Sequence, residues 1–258
     1  MEKLNLAIGR FQPFTQGHLN MVNEGEAKCI IYQMTSADVE PTVVARTGNV
    51  KFGSKTFKQD VVKNAIAYLK GENVSLDDNA KELVKRPFTT KLVEKEFDII
   101  KKNNPNILDV VYVKQWFDAV GHFNKFILDN KDKYEAQYLM CGDDRKDDYQ
   151  DLLDKYITSG EDVSIVTRSE EKYKNVISNI TINTGKGRTD GVSGTVVRQS
   201  ILDNDKAAFN KIMPKGTDVL FNDFVNSFKD FADKLQGFVK ESRIRMKSLR
   251  DYIIENKK

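Results

Sequence analysis

The stretch that decides the fold is residues 4–18, which read Leu-Asn-Leu-Ala-Ile-Gly-Arg-Phe-Gln-Pro-Phe-Thr-Gln-Gly-His. Its first five residues are mostly apolar and predict a short buried strand. Beyond the loop, apolar residues recur at helical spacing, at Leu19, Val22 and Ala27, and predict a helix over residues 18–28. A strand, a loop and a helix in this order open a βαβ unit.

The rest of the chain continues this alternation of short apolar strands and helices. Strands are predicted over residues 29–34, 109–113, 138–141, 163–167 and 180–183. Helices are predicted over residues 56–69, from Thr89 or Thr90 to about residue 100, and over residues 123–128 and 193–203. Such a pattern predicts the α/β class, with a Rossmann-like parallel sheet flanked by helices.

Two segments fall outside this pattern. Residues 39–85 are interpreted as an insertion that carries short helices of its own. Residues 217–258 are helical in pattern, with apolar residues three or four apart at Phe221, Phe224, Val225, Phe228, Phe231 and Leu235. We therefore expect a main domain over residues 1–216 and a C-terminal helical extension over residues 217–258, whose aromatic face packs on that domain or on a second subunit.

Composition limits the class of protein. The chain has 258 residues, 40% of them hydrophobic and 31% charged, which is typical of a folded globular protein. A net charge of +3 is too near balance to indicate a nucleic-acid partner, so any anion site is expected to be local. Cys29 and Cys141 lie in apolar runs and predict buried thiols in a reducing compartment. The N-terminus is unlike a signal peptide and no run approaches the roughly 18 apolar residues that a membrane span needs, so we expect a cytoplasmic protein.

The loop after the first strand has the properties of an anion site. Gly9 and Gly17 allow the backbone to approach a ligand closely, and the following helix start presents unpaired N–H groups. The guanidinium group of Arg10 adds charged hydrogen-bond donors, and the imidazole of His18 adds a further donor. Phosphate oxygens are the ligand that this combination predicts.

Residues 9–18, Gly-Arg-Phe-Gln-Pro-Phe-Thr-Gln-Gly-His, resemble the signature of the HxGH nucleotidyltransferase superfamily, and are most like nicotinamide-mononucleotide adenylyltransferases of archaea, bacteria and some phages. The first histidine of that signature is Thr15 here, as in the pantetheine-phosphate adenylyltransferase branch. The resemblance implies that His18 binds the α-phosphate of ATP in the transition state, Thr15 orients a phosphate and Arg10 holds the triphosphate. It also implies that Gly9, Phe11 and Gly17 lie against the bound nucleotide. We call residues 9–18 the first motif.

Residues 192–198, Val-Ser-Gly-Thr-Val-Val-Arg, resemble the Ile-Ser-Ser-Thr-x-x-Arg motif of the same superfamily. We call residues 193–198 the second motif. The hydroxyls of Ser193 and Thr195, with the N-terminal amides of the helix, can bind the β- and γ-phosphates, and Arg198 can neutralise their charge. The alternative for either hydroxyl is plain helix capping.

Two weaker features fit the same superfamily. Arg86-Pro87-Phe88-Thr89 precedes a predicted helix and resembles the segment that follows the second strand in that superfamily. Gly142 and Asp143, directly after the strand over residues 138–141, resemble its Gly-x-Asp loop near the nucleotide. Asp143 could equally be an ordinary turn or cap residue.

The resemblance implies an adenylyltransferase that transfers AMP from ATP to nicotinamide mononucleotide and releases NAD and pyrophosphate. Mg²⁺ is expected as the partner of ATP, bridging phosphate oxygens with few protein ligands. Pantetheine-phosphate and cytidylyl transfer remain alternatives within the class, and a non-catalytic nucleotide-binding module is the alternative outside it. The remaining expected partners are a phosphorylated small-molecule acceptor and, through the C-terminal helices, a second copy of the chain.

Overall fold

The computed structural model of the chain describes residues 1–24, 27–35, 42–44, 47, 49–52, 55–85, 87–158, 180–184 and 192–255. The chain divides into two compact units. The first unit comprises Met1–Ala37, Glu94–Val197 and Asn210–Asp218, and the second unit comprises Asp38–Val93, Arg198–Phe209 and Val219–Lys258.

The strands, in chain order, are β1 Glu2–Gly9, β2 Lys28–Met34, β3 Thr42–Val43, β4 Val50–Phe52, β5 Lys55–Phe57, β6 Ile107–Val113, β7 Tyr134–Met140 and β8 Thr181–Asn183. The α-helices are α1 Gln16–Val22, α2 Gln59–Leu69, α3 Asp78–Val84, α4 Thr90–Asn103, α5 Trp116–Asp129, α6 Lys146–Thr158, α7 Gly194–Leu202, α8 Lys206–Ile212 and α9 Phe221–Glu255. Two short 3-10 turns, Asp143–Arg145 and Thr217–Leu220, precede α6 and α9.

The first unit is built on a parallel sheet of five strands in the order β6-β2-β1-β7-β8. This sheet, flanked by helices, confirms the predicted α/β class. The successive strands β1, β2 and β6 step toward one edge, and β7 then returns to the other side of β1. In open α/β sheets a ligand binds beside the carboxyl ends of the strands where the order reverses in this way. The topology therefore predicts a ligand site at the carboxyl ends of β1 and β7.

The predicted strands over residues 4–8, 29–34, 109–113, 138–141 and 180–183 correspond to β1, β2, β6, β7 and β8. The predicted strand over residues 163–167 lies outside the described residues. The helix predicted over residues 18–28 is wrong in its extent, because α1 ends at Val22 and β2 already begins at Lys28. Asn23 and Glu24 close the last turn instead, with their amides donating to the carbonyls of Leu19 and Met21. The helix predicted from residue 56 begins later, at Gln59, because Thr56 lies in β5.

One face of the sheet carries the core that supports β1. Leu4, Leu6 and Ile8 alternate along the strand and are all buried on this face. They pack with side chains of α5 and α6, among them Phe123 and Leu153. The helix predicted over residues 123–128 is thus the second half of α5. This packing fixes β1, and with it the start of the first motif.

The second unit contains the insertion and the C-terminal helix. β3, β4 and β5 form a small antiparallel sheet, and α9 packs on α2 and β3. The Phe88 ring lies 4.8 Å from that of Phe224 and 5.3 Å from that of Phe228, so the predicted aromatic stripe of α9 is a packing face. The boundary between residues 216 and 217 stays a prediction. Among the described residues, no helix is long and apolar enough to cross a membrane.

Gly237 offers a direct test of α9. It lies in the interior of this helix of 35 residues, and a Cβ atom added there meets no heavy atom within 4 Å. Because glycine is a poor helix former, we expect Gly237→Ala to raise the free energy of unfolding by about 0.5–1 kcal/mol. Urea denaturation followed by circular dichroism measures this change. A loss of stability would contradict a continuous helix at this position.

Candidate active site

A cavity of about 750 Å³ lies at the carboxyl ends of β1 and β7. All of its lining residues belong to the first unit. The first motif contributes Gly9, Arg10, Phe11, Thr15, Gly17 and His18. The structure therefore places every predicted site residue of that motif at one cavity, at the position that the strand order indicates.

Gly9 is required by the close approach of Phe11. A Cβ atom at Gly9 would lie 2.7 Å from Cζ of the Phe11 ring, a distance that forces a displacement. Phe11 itself has a φ of 34°, in the left-handed region that bulky residues rarely adopt. Its ring stands edge-on to the rings of Phe14 and His18, with centroids 5.2 Å away in both cases. This strained turn brings the ring against His18.

His18 is held by Thr15, the N-cap residue of its helix. The backbone N–H of Thr15 donates to Nδ1 of His18 at 3.0 Å, and Oγ1 of Thr15 lies 3.1 Å from the same nitrogen. Since Nδ1 accepts a hydrogen bond from an amide, the proton of the neutral imidazole is on Nε2. Thr15 is 1% exposed. The pair therefore fixes His18 as a hydrogen-bond donor through Nε2.

Three side chains outside the first motif bind the main chain of the motif or of Ile8, the residue before it. Gln33 Nε2 donates to the carbonyl of Arg10 at 2.6 Å, and the hydroxyl of Tyr149 donates to the carbonyl of Ile8 at 2.6 Å. The N–H of Phe14 donates to Oε1 of Glu96 at 3.0 Å. Gln33, Glu96 and Tyr149 come from β2, α4 and α6, so three elements hold the backbone on either side of the loop.

Sequence reasoning missed these three residues, although two of them leave a signal. Gln33 is a polar residue inside the apolar run of β2. Glu96 falls on the apolar face of α4, whose other members are Leu92, Val93, Phe97 and Ile100, and it is fully buried. A polar side chain at a core position is costly without a hydrogen bond, so its presence indicates a specific partner. Tyr149 carries no comparable signal.

The second motif is only partly at the cavity. Ser193 and Gly194 line it, and the Ser193 hydroxyl accepts a hydrogen bond from the N–H of Val196 at 3.3 Å. The capping alternative therefore applies to Ser193. Thr195 is exposed and, like Arg198, is not among the described residues that line the cavity. Burial lowers the pKa of Arg198, and nearby Tyr68 opposes this shift. Phosphate binding by Thr195 and Arg198 stays a prediction.

The loop after β7 brings a residue that the sequence prediction did not assign. Gly142 and Arg145 line the cavity, whereas Asp143 is exposed and begins the short 3-10 turn. Burial raises the pKa of Tyr149 to about 12, and the positive charges of Arg145 and Arg10 oppose this rise. Both guanidinium groups therefore act near the same hydroxyl. Two guanidinium groups at one cavity can neutralise an anion there, although Asp148 and Asp151 line the same cavity.

The segment over residues 86–89 contributes packing and capping. Arg86 lies outside the described residues. Phe88 packs in the aromatic core of the second unit, and the hydroxyl of Thr89 accepts a hydrogen bond from the N–H of Leu92 at 3.3 Å. Thr89 is thus the cap that precedes α4, as one of the two predicted alternatives has it.

No family model matches the chain, and no curated protein matches it. Similar solved structures include a Plasmodium falciparum nicotinic acid mononucleotide adenylyltransferase in complex with APC (11% identity, TM-score 0.41) and with NaAD (12%, 0.40), each match covering 89% of this chain and 98% of that one. A Francisella tularensis bifunctional NMN adenylyltransferase/ADP ribose pyrophosphatase, complexed with AMP and a Mn ion, matches at 14% identity and a TM-score of 0.29, over 98% of this chain and 56% of that one.

Proposed function

We propose that the chain is a nucleotidyltransferase that transfers AMP from ATP to nicotinamide mononucleotide and releases NAD and pyrophosphate. The observation that carries this proposal is His18, whose Nδ1 accepts the Thr15 amide and whose Nε2 is therefore a donor at the cavity. The adenylyl group and the mononucleotide acceptor follow from the resemblance of the first motif, including Phe11 and Gly17.

In the proposed reaction, a phosphate oxygen of the acceptor attacks the α-phosphorus of ATP. The bond between that phosphorus and the oxygen bridging to the β-phosphate breaks, and pyrophosphate leaves with the electron pair. Such a transfer needs little covalent help from the protein, so positioning and charge stabilisation supply the rate. The Nε2–H of His18 would donate to an oxygen of the α-phosphate, where negative charge develops. Arg10 and Arg145 would neutralise the remaining phosphate charge.

ATP would enter as its Mg²⁺ complex. Mg²⁺ prefers oxygen ligands in octahedral geometry and usually keeps phosphate oxygens and water among them. Asp148 and Asp151 line the cavity as oxygen donors, and Asp148 is also paired with Arg145 at 2.9 Å. The described residues contain no cluster of three or more metal-ligating side chains, so the ion would be held mainly by phosphate oxygens and water. The bound ion would reduce the charge of the triphosphate and polarise its oxygens.

Thr15 favours a second candidate within the class, since the pantetheine-phosphate adenylyltransferase branch has threonine at this place. The Thr15 hydroxyl lies 3.1 Å from Nδ1 of His18 and the Thr15 side chain is buried, so this residue positions the histidine. The chemistry of adenylyl transfer is the same for both acceptors. A non-catalytic module would bind ATP at the same cavity without turnover. We further propose a cytoplasmic setting, because Cys29 and Cys141 are buried free thiols.

A direct assay separates these candidates. The purified chain is incubated with ATP and Mg²⁺, together with nicotinamide mononucleotide, nicotinic acid mononucleotide or phosphopantetheine, one acceptor at a time. Pyrophosphate release and the mass of the product identify the acceptor. ATP binding by calorimetry without turnover on any acceptor would favour the binding module.

Light scattering after size-exclusion chromatography tests the predicted association of two copies through α9. A monomer in solution would contradict that prediction.

Arg145 provides a test of the proposal that Arg10 and Arg145 neutralise phosphate charge. We expect Arg145→Ala to raise KM for ATP about tenfold, because one charge-assisted contact to a phosphate contributes on the order of 1–2 kcal/mol. Initial rates at varied ATP concentration measure it. Lys125→Ala is the matched control, since Lys125 pairs with Asp129 on α5 much as Arg145 pairs with Asp148, and the two cations are 64% and 63% exposed. Equal KM values for the two variants would contradict a phosphate contact by Arg145.

A further inference from the structure

Glu96 is a carboxyl group inside the core of the first unit. It lies on α4 and is fully buried. Its Oε1 accepts a hydrogen bond from the N–H of Phe14 at 3.0 Å. Its Oε2 is also buried and has no hydrogen-bond partner among the described residues. A buried acid with one donor is costly for the fold, so this single contact needs an explanation.

Burial raises the pKa of Glu96 well above its usual range, and the Phe14 amide opposes this shift only in part. Burial therefore favours the neutral form of this carboxyl group. As a neutral acceptor it resembles glutamine in charge and in shape. This equivalence supplies a conservative variant for a test.

Glu96 and its neighbour Phe97 both contact Phe14 in the first motif. The Phe97 ring lies 5.1 Å from the ring of Phe14 and 6.2 Å from that of Phe11. These two rings in turn lie 5.4 Å and 5.2 Å from the imidazole of His18. One turn of α4 thus holds the Phe14 backbone through Glu96 and the aromatic cluster through Phe97.

The backbone after Phe14 leads directly to the histidine. Thr15 is the next residue, and its N–H donates to Nδ1 of His18. The Phe14 amide and the Thr15 amide belong to successive planar peptide units that meet at the Cα atom of Phe14. Because the Phe14 side chain is fully buried, a shift of its amide is expected to carry the Thr15 amide with it. The hydrogen bond that fixes the tautomer of His18 therefore depends on the position of Phe14.

We propose that Glu96 is a positioning residue of the transfer reaction, which holds the Phe14 amide and through it sets the geometry of Thr15 and His18; this inference rests on the proposed function. Its role is to place the donor at Nε2 of His18 relative to the α-phosphate. A small misplacement of such a donor lowers the rate of the chemical step more than it weakens binding of the substrate.

The kinetic test compares two variants of Glu96. Glu96→Gln keeps a neutral acceptor and is expected to retain kcat within about twofold. Glu96→Leu loses the acceptor and is expected to lower kcat about ten- to a hundredfold, with KM for ATP nearly unchanged. Glu94→Leu, at an exposed position on the same helix, is the control and should retain kcat. Wild-type kcat in Glu96→Leu, or equal losses in Glu96→Gln and Glu96→Leu, would overturn the proposal.

An NMR measurement decides the same question without activity. The chain has two histidines, so nitrogen-15 spectra of the imidazole rings contain two sets of signals. Glu96→Leu should shift the His18 signals. The His122 signals should stay at their wild-type positions, because this ring is hydrogen-bonded to the hydroxyl of Tyr32 at 2.9 Å. Unchanged His18 signals would overturn the positioning role. If the wild type turned over no acceptor, the proposed function would fail while this measurement still tested Glu96.

Discussion

Replacing His18 with alanine is expected to lower kcat by about a hundred- to a thousandfold, the usual loss when one preorganised donor to a developing oxyanion is removed. The reason lies in the hydrogen bond from the Thr15 amide to Nδ1, at 3.0 Å, which leaves the proton of the ring on Nε2. That donor would stabilise charge that appears only in the transition state. KM for ATP should therefore change little. Steady-state rates of pyrophosphate release measure both parameters.

The control for His18→Ala is the other histidine. His122 accepts or donates a hydrogen bond with Tyr32 at 2.9 Å and does not line the cavity that the described residues form. His122→Ala should lower stability, because it leaves the buried Tyr32 hydroxyl without this partner, and should leave kcat near the wild-type value. If His18→Ala retained turnover close to that of the wild type, the assignment of the first motif as catalytic would be wrong.

Replacing Gly9 with alanine is expected to cause the second large loss. The added Cβ atom would lie 2.7 Å from the Phe11 ring, which is packed edge-on against Phe14 and His18, so the ring must shift relative to both. Forcing these rings apart should lower the free energy of unfolding by about 1–3 kcal/mol. It should also move His18, and a misplacement of about 1 Å can lower kcat about a hundredfold.

Gly237→Ala is the matched control for this second variant. It is the same change of side chain in the same protein, at a position where the new methyl group meets nothing within 4 Å. Stability should rise slightly and kcat should stay at the wild-type value. Kinetics and urea denaturation of both glycine variants form one experiment. Gly9→Ala with wild-type kcat and wild-type stability would contradict the close approach of Phe11.

The first motif is readable from the sequence because it combines local signals. An apolar strand, Gly9, and a later Gly-His pair at a helix start each have a local physical meaning, and together they predict an anion site. The structure places all of the predicted residues of this motif at one cavity. The end of α1 was less predictable, since Ala27 continues the apolar spacing although the next residue, Lys28, already belongs to β2. Apolar periodicity alone does not separate a short helix from the strand that follows it.

The support of the loop depends on contacts that are distant in sequence. Glu96 bonds a residue 82 positions away and Tyr149 bonds one 141 positions away. No local rule predicts such partners, although Glu96 on an apolar helix face does indicate that one exists.

Arg198 is the reverse case, because here a local motif predicts a role that its surroundings do not display. The spacing of the second motif predicts that Arg198 binds phosphate, whereas in the structure its guanidinium group is largely buried near Tyr68.

The insertion and the C-terminal helix show how tertiary packing goes beyond a linear division of the chain. Residues 39–85 and 217–258 are separate segments in the sequence, which predicts an insertion with short helices for the first and a helical pattern for the second. In the structure residues 39–85 and 219–258 belong to the second unit, where α9 packs on α2. The phenylalanine spacing of α9 predicts a buried face correctly. It does not identify α2 as the element that covers this face, because helix periodicity carries no information about the partner.

Mass spectrometry of the reaction products tests the central claim most directly. The purified chain is incubated with ATP, Mg²⁺ and nicotinamide mononucleotide, with the His18→Ala variant in parallel. The proposed function predicts the mass of NAD and one pyrophosphate per NAD formed for the wild type, and a greatly reduced amount of both for the variant. Absence of any adenylylated product with this acceptor, with nicotinic acid mononucleotide and with phosphopantetheine, from a protein that binds ATP, would contradict it.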